Sequence, residues 1–127
     1  MAQGRDTKPA RQTVNSLRYA DMFSALGTEL RLRIMRLLLS AHPDGMVAGD
    51  IQAELDIPDS TLSHHLDKLR QEDLVTVTRE GTYLRYAANT KTLGDLLGFL
   101  YAECCTRNRA VKPQEMVWMG KQFRRER

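Results

Sequence analysis

The feature that most constrains this 127-residue chain is a change of apolar period at Leu74. Upstream of it, apolar side chains recur every three to four residues, the spacing of helices that bury one face. Downstream, Val75-Thr76-Val77-Thr78 is β-branched throughout, and Tyr83-Leu84-Arg85-Tyr86 answers it across Arg79-Glu80-Gly81-Thr82. Two strand-like runs with glycine at their connection read as a β-hairpin. Helical spacing then returns, because Leu93, Leu96, Leu97, Leu100 and Cys104 fall at i, i+3, i+4, i+7 and i+11. Apolar residues make up 42% of the chain, enough for one core at this length. The expected fold class is mainly α with a small β-hairpin.

The helical part divides at its turn residues. Tyr19, Met22, Phe23 and Leu26 lie on one face of a helix from about Val14, which Gly27 stops. A second helix runs from about Thr28, a candidate N-cap, to Ser40, with Leu30, Ile34, Leu37 and Leu38 inward and Arg31, Arg33 and Arg36 around the rest. His42-Pro43-Asp44-Gly45 turns the chain. A short helix from about Ala48 to Leu55 is closed by Asp56-Ile57-Pro58, and the next opens at Asp59 or Ser60 and continues to about Glu72. Two short helices joined by a tight turn form a helix-turn-helix. Followed by a hairpin, they make a winged helix-turn-helix.

Charge locates the binding function only indirectly. Net charge is +3, but residues 107–127 hold seven Lys or Arg against two Glu, and residues 1–12 hold three against one Asp. Residues 13–106 therefore carry nine basic and thirteen acidic side chains. DNA binding must rest on where charge is placed and not on the total. The expected organisation is a disordered N-terminal arm over 1–12, a winged-helix DNA-binding and dimerisation domain over 13–106, and a basic C-terminal tail over 107–127. The longest apolar stretch, Leu96 to Ala102, is far short of the ~20 residues of a membrane helix. The N-terminus lacks an apolar signal core, and two adjacent cysteines make no disulfide framework. These absences point to a cytoplasmic protein without a membrane partner.

On the fourth helix, Leu62, His65, Leu66 and Leu69 share one face, and Ser60, Thr61, Ser63, His64, Asp67 and Lys68 the other. Short donors and acceptors near a helix N-terminus, backed by leucines, suit a recognition helix in the major groove of double-stranded DNA. Ser60, Thr61, Ser63 and His64 are the expected base readers, with Lys68 beside them. His65, among the leucines, reads as a packed or hydrogen-bonded histidine. The wing offers Arg79, Thr82, Tyr83 and Arg85 to the phosphate backbone or the minor groove. The stripes Tyr19, Met22, Phe23 and Leu93, Leu96, Leu97, Leu100 exceed what so small a monomer covers, which predicts a homodimer. A two-fold dimer in turn predicts an inverted-repeat operator.

Both cysteines of the chain, Cys104 and Cys105, close the last helix. Adjacent thiolates suit a soft, thiophilic ion. In a regular helix they diverge, so a shared ion requires the helix end to open. Two sulphurs do not complete a tetrahedral zinc site, and no permanent cofactor is expected. A thiol redox switch is the alternative use of the pair. A thiol enzyme is disfavoured, because such enzymes space the pair as C-x-x-C and no cofactor motif is present.

Over about residues 17–105 the chain resembles the ArsR/SmtB family of dimeric winged-helix repressors. Leu26-Gly27-Thr28-Glu29-Leu30-Arg31-Leu32-Arg33-Ile34-Met35 is similar to the family's second-helix motif, Ser60-Thr61-Leu62-Ser63-His64-His65-Leu66 to its recognition helix, and Arg79 to Tyr86 to its wing. The resemblance implies a repressor that leaves DNA when its effector binds. Where arsenic sensors of the best-known type carry a cysteine-valine-cysteine run, this chain has Val47, Ala48 and Gly49; its last helix has Asp95 but no histidine for the family's zinc site. Glu103-Cys104-Cys105 resembles the vicinal pair of a subgroup responsive to trivalent arsenic or antimony, which implies a trivalent organoarsenical or antimonite as inducer of a metalloid resistance operon.

Overall fold

The structure, a computed structural model, describes residues 10–108. Among the described residues five helices and three strands follow in the order α1 (Ala10–Leu26), α2 (Glu29–Ser40), β1 (Met46–Val47), α3 (Ala48–Leu55), α4 (Asp59–Gln71), β2 (Val75–Glu80), β3 (Tyr83–Ala88) and α5 (Thr90–Tyr101). The chain divides into a first compact unit that runs to Leu96 and a second that begins at Leu97. Residues 1–9 of the expected arm lie outside the described residues, whereas Ala10 to Gln12 already belong to α1. The tail expected over 107–127 lies outside them from residue 109 onward.

Local chemistry sets most boundaries. Thr28 caps α2, its Oγ1 accepting from the Arg31 backbone N–H at 3.2 Å. Asp56 ends α3 in the left-handed region at φ 54°, which aspartate tolerates, and its N–H bonds the Gln52 carbonyl at 2.8 Å. The expected caps of α4, Asp59 and Ser60, lie inside the helix instead. Pro58 takes the cap position and supplies no side-chain bond, its carbonyl accepting from the Leu62 N–H. At the other end, Asp73 sits at φ 61° and the Leu74 N–H reaches back to the Leu69 carbonyl at 3.0 Å, the six-to-one bond of a Schellman ending. Asn89 caps α5, its Oδ1 accepting from the Thr92 N–H at 3.2 Å.

The expected hairpin is part of a three-stranded antiparallel sheet in the order β1-β3-β2. Strand β1 pairs Met46 with Tyr86 and Val47 with Arg85. Gly45 makes this possible: at φ +76° a Cβ would stand 2.2 Å from the Tyr86 carbonyl oxygen, so only glycine lets the turn pass so close. In the hairpin, Val75 faces Ala88, Val77 faces Tyr86 and Arg79 faces Leu84, while Thr78 faces Arg85 and Glu80 faces Tyr83. Alternation places the first set on one side of the sheet and the second on the other.

The core of the first unit gathers Met22, Ile34, Leu38, Ile51, Leu62, Leu66, Leu69, Leu74 and Leu96 with neighbours that include Met35, Val75 and Tyr86, and no buried polar side chain lies among the described residues. Each such side chain stabilises the fold by about 1.5–3 kcal/mol. Two residues expected at a dimer interface belong here. Met22 is 1% exposed and Leu96 0%, so their apolar surface is already covered within the chain. Tyr19 and Leu93 are half-buried against the same core. Phe23, Leu97 and Leu100 remain exposed, together with Leu17, Phe99 and Tyr101, which periodicity did not single out.

Candidate nucleic-acid interface

Helix α4 is held by one face and free on the other. Leu62, Leu66 and Leu69 are buried, which fixes the rotation of the helix about its axis. That rotation turns Ser60, Ser63, His64 and Lys68 to solvent and leaves Thr61 half-buried. The hydroxyls and the imidazole near the N-terminal turn are short enough for a groove-inserted helix to bring them to base edges.

His65 is pinned from α2. The Arg31 guanidinium donates through Nη1 to His65 Nδ1 at 3.1 Å, and its Nε donates to the carbonyl of Ala25 in α1. An Nδ1 that accepts must be unprotonated, with the ring proton on Nε2. Burial, then the charges of Arg31 and His64, hold His65 below its ordinary pKa, in agreement with the neutral ring. One arginine therefore ties the end of α1, α2 and α4 together. The two histidine rings meet edge to face, with centroids 5.3 Å apart, and His64 is the solvent-facing member.

The wing presents its residues unequally. Arg79, Thr82 and Tyr83 are exposed, Tyr83 to 65%, around Gly81 at φ +61°. Arg85 is half-buried and engaged: Nε donates to Glu80 Oε2 at 2.9 Å and Nη1 to the Gly45 carbonyl at 3.3 Å. Below the wing, burial and Asp67 push the Tyr86 phenol above its ordinary pKa against the opposing charge of Arg70, so it stays protonated beside α4. The sequence marked Arg31, Gly45 and Glu80 only as a surface arginine, a turn and part of a hairpin connection. Their pairings join positions far apart in the chain, beyond the reach of a periodic signal.

In the second unit the thiol pair lies beyond the regular helix. Helix α5 stops at Tyr101, earlier than its apolar stripe, and turns follow in which the Cys104 N–H bonds the Tyr101 carbonyl at 2.8 Å. Cys105 lies at φ 67°, outside the helical region. The backbone therefore opens ahead of the pair, and the Sγ atoms stand 2.9 Å apart, both residues half-buried and neither in a disulfide. At a metal–sulphur bond of about 2.3 Å such sulphurs subtend roughly 80°, whereas a tetrahedral ion would need them ~3.8 Å apart. That bite is narrower than a tetrahedral zinc ion takes. Among the described residues no group of three His, Cys, Asp or Glu side chains could hold a metal ion, so the pair supplies two ligands only.

Comparison with known proteins agrees with the winged helix-turn-helix fold. A helix-turn-helix domain family model matches residues 26–78. The chain is 31% identical over 80 residues to the transcriptional repressor SdpR of Bacillus subtilis, spanning 63% of this chain and 86% of that protein. It is 36% identical over 76 residues to ArsR, a proposed arsenical resistance operon repressor of Halobacterium salinarum, spanning 60% of this chain and 57% of that one. Its fold matches a solution structure of a homodimeric winged helix-turn-helix DNA-binding domain from Mycobacterium bovis, a possible ArsR-family transcriptional regulator. The TM-score is 0.60 at 23% identity, over 82% of this chain and 96% of that one.

Proposed function

The chain belongs with helix-turn-helix transcriptional repressors such as SdpR, and from that premise we propose that it is an ArsR-type homodimeric repressor released from its operator when a trivalent organoarsenical or antimonite binds Cys104 and Cys105. The relatives it matches are regulators of transcription, and the chain is a regulator and not an enzyme. The observation that carries the effector reading is the convergence of the two sulphurs at 2.9 Å beyond the end of α5. A monomethyl or phenyl arsenical already carries one carbon ligand, so two thiolates complete it. Arsenite would keep a hydroxide, which a soft centre holds less well than sulphur.

Leu17 and Phe23 in the first unit, and Leu97 and Leu100 in the second, are each exposed apolar side chains that a second copy would cover. Gly94 and Gly98 leave open space within 4 Å where a neighbouring helix can approach. A two-fold dimer presents its α4 helices to successive major-groove faces, about 34–36 Å apart, and so calls for an inverted repeat. Induction requires the effector to favour the DNA-free arrangement of the dimer, a coupling typically of 1–3 kcal/mol. The close thiols also support a second reading, a redox switch in which peroxide is reduced to water as the pair loses two protons and two electrons to form a disulfide.

The test uses Cys104→Ser and Cys105→Ser with duplexes enriched from a random pool by the wild-type protein. Each variant is expected to bind those duplexes as the wild type does and to ignore methylarsenite and antimonite. Loss of DNA binding in the effector-free variants would make the cysteines structural and overturn the sensor reading.

A further inference from the structure

The two wing arginines, equivalent in the sequence, differ in their electrostatic surroundings. Arg79 is exposed and makes no ion pair among the described residues. Arg85 lies on the other side of the sheet, where the register sets Glu80 one diagonal step away, and the carboxylate closes on its Nε at 2.9 Å. The Gly45 carbonyl takes Nη1. Of the five guanidinium donors, those on Nη2 and one on Nη1 remain outside these bonds. A phosphate approaching them meets a neutral pair and not a cation.

We infer that Glu80 governs the affinity of the wing for DNA by neutralising Arg85 in the free protein, so that a backbone phosphate must displace the carboxylate before Arg85 contributes its charge. The pair is half-exposed, with side-chain exposures of 34% and 49%. Exchange of one anion for another around such a guanidinium is cheap, because exposed ion pairs contribute little. The consequence is selectivity. At a site where α4 fits the bases, the wing is held against the backbone and the exchange occurs. On a non-specific duplex the wing engages with Arg79 alone, and the sequence-independent part of binding is kept down. This inference rests on the DNA-binding reading, which the affinity of the wild-type protein for the same duplex tests separately.

The experiment is a double-mutant cycle on the full chain, read by fluorescence anisotropy on a labelled 30-base-pair duplex of random sequence from low to moderate salt. Glu80→Gln is expected to tighten binding about two- to fivefold and to steepen the dependence of log affinity on log salt by about one unit, as one more phosphate is neutralised. Arg85→Met alone changes that slope little, whereas Arg79→Met lowers it by about one. In the Arg85→Met background, Glu80→Gln no longer steepens the slope. If it brings the same gain with or without Arg85, the carboxylate acts only by repelling DNA directly and the inference fails. It also fails if Glu80→Gln leaves the slope unchanged in the wild-type background. Glu80 is half-exposed on a hairpin, and a thermal melt of each variant confirms that folded proteins are compared.

Discussion

Helices α4 and α5 have 13 and 12 residues and equally regular leucine stripes, yet they dispose of those stripes differently. In α4 all three leucines are enclosed by the chain's own core. In α5 only Leu96 is enclosed, while Leu97 stays 49% and Leu100 56% exposed. Periodicity reveals that a helix has an apolar face but is silent on whether the same chain or another molecule covers it. The enclosed stripe belongs to the element that the proposed function requires to hold a fixed orientation to read bases. The exposed stripe belongs to the element that leads into the thiol pair, where on the proposed reading a bound ligand alters how two copies meet.

The largest expected effect is at the enclosed stripe. Leu66→Ala removes a side chain that is 1% exposed and should cost about 2–5 kcal/mol of unfolding free energy, read by urea denaturation. At the exposed stripe, Leu100→Asp should leave the fold of one chain intact and shift sedimentation equilibrium at micromolar concentration toward the mass of a single chain. If Leu100→Asp stays dimeric, or unfolds a dilute chain as Leu66→Ala does, the contrast between the helices is broken.

Within α4, the two adjacent histidines sharpen the same comparison on a smaller scale. His64→Ala should cost about 1–3 kcal/mol of discrimination for selected over random duplexes while leaving the melting temperature nearly unchanged, since its side chain faces solvent. Equal loss on both kinds of duplex would assign His64 to backbone contact instead.

His65 predicts the smallest effect, and it depends on pH. Its folded pKa lies below the unfolded value of about 6.5. In that window the unfolded chain binds more protons, so stability rises with pH, is fully present above about pH 6.5, and is lost as pH falls through the folded value. Urea titrations at successive pH values should show this decline, and Arg31→Met should reduce it by removing the second-largest cause of the depression. A decline of the same size in Arg31→Met would mean that the guanidinium does not act on His65.

Most of the architecture was legible because it is written in local signals: the change of period at Leu74, the turn at His42 to Gly45, and Gly81 in the hairpin. What the sequence left unread has physical reasons. Strand β1 is two residues long, too short to show a period, and exists because Gly45 lets the chain pass the Tyr86 carbonyl. The start of α1 at Ala10 falls in a polar stretch with no stripe to announce it. Helix α5 stops at Tyr101 although its stripe continues to Cys104, since an apolar pattern does not encode where a helix opens. In the candidate interface, the exposed face of α4 follows from its leucines. The engagement of Arg85 by Glu80 and of His65 by Arg31 follows from packing and strand register, which no spacing rule gives.

The central claim is that the open end of α5 reads a trivalent centre and thereby releases DNA. Parallel titration of the protein bound to a selected duplex with methylarsenite, antimonite, arsenite, zinc and peroxide tests it most directly. Two thiolates in a narrow bite predict release by methylarsenite and antimonite at lower concentrations than arsenite, and no release by zinc. Release by peroxide alone, or by arsenite at the lowest concentration of all, would contradict it.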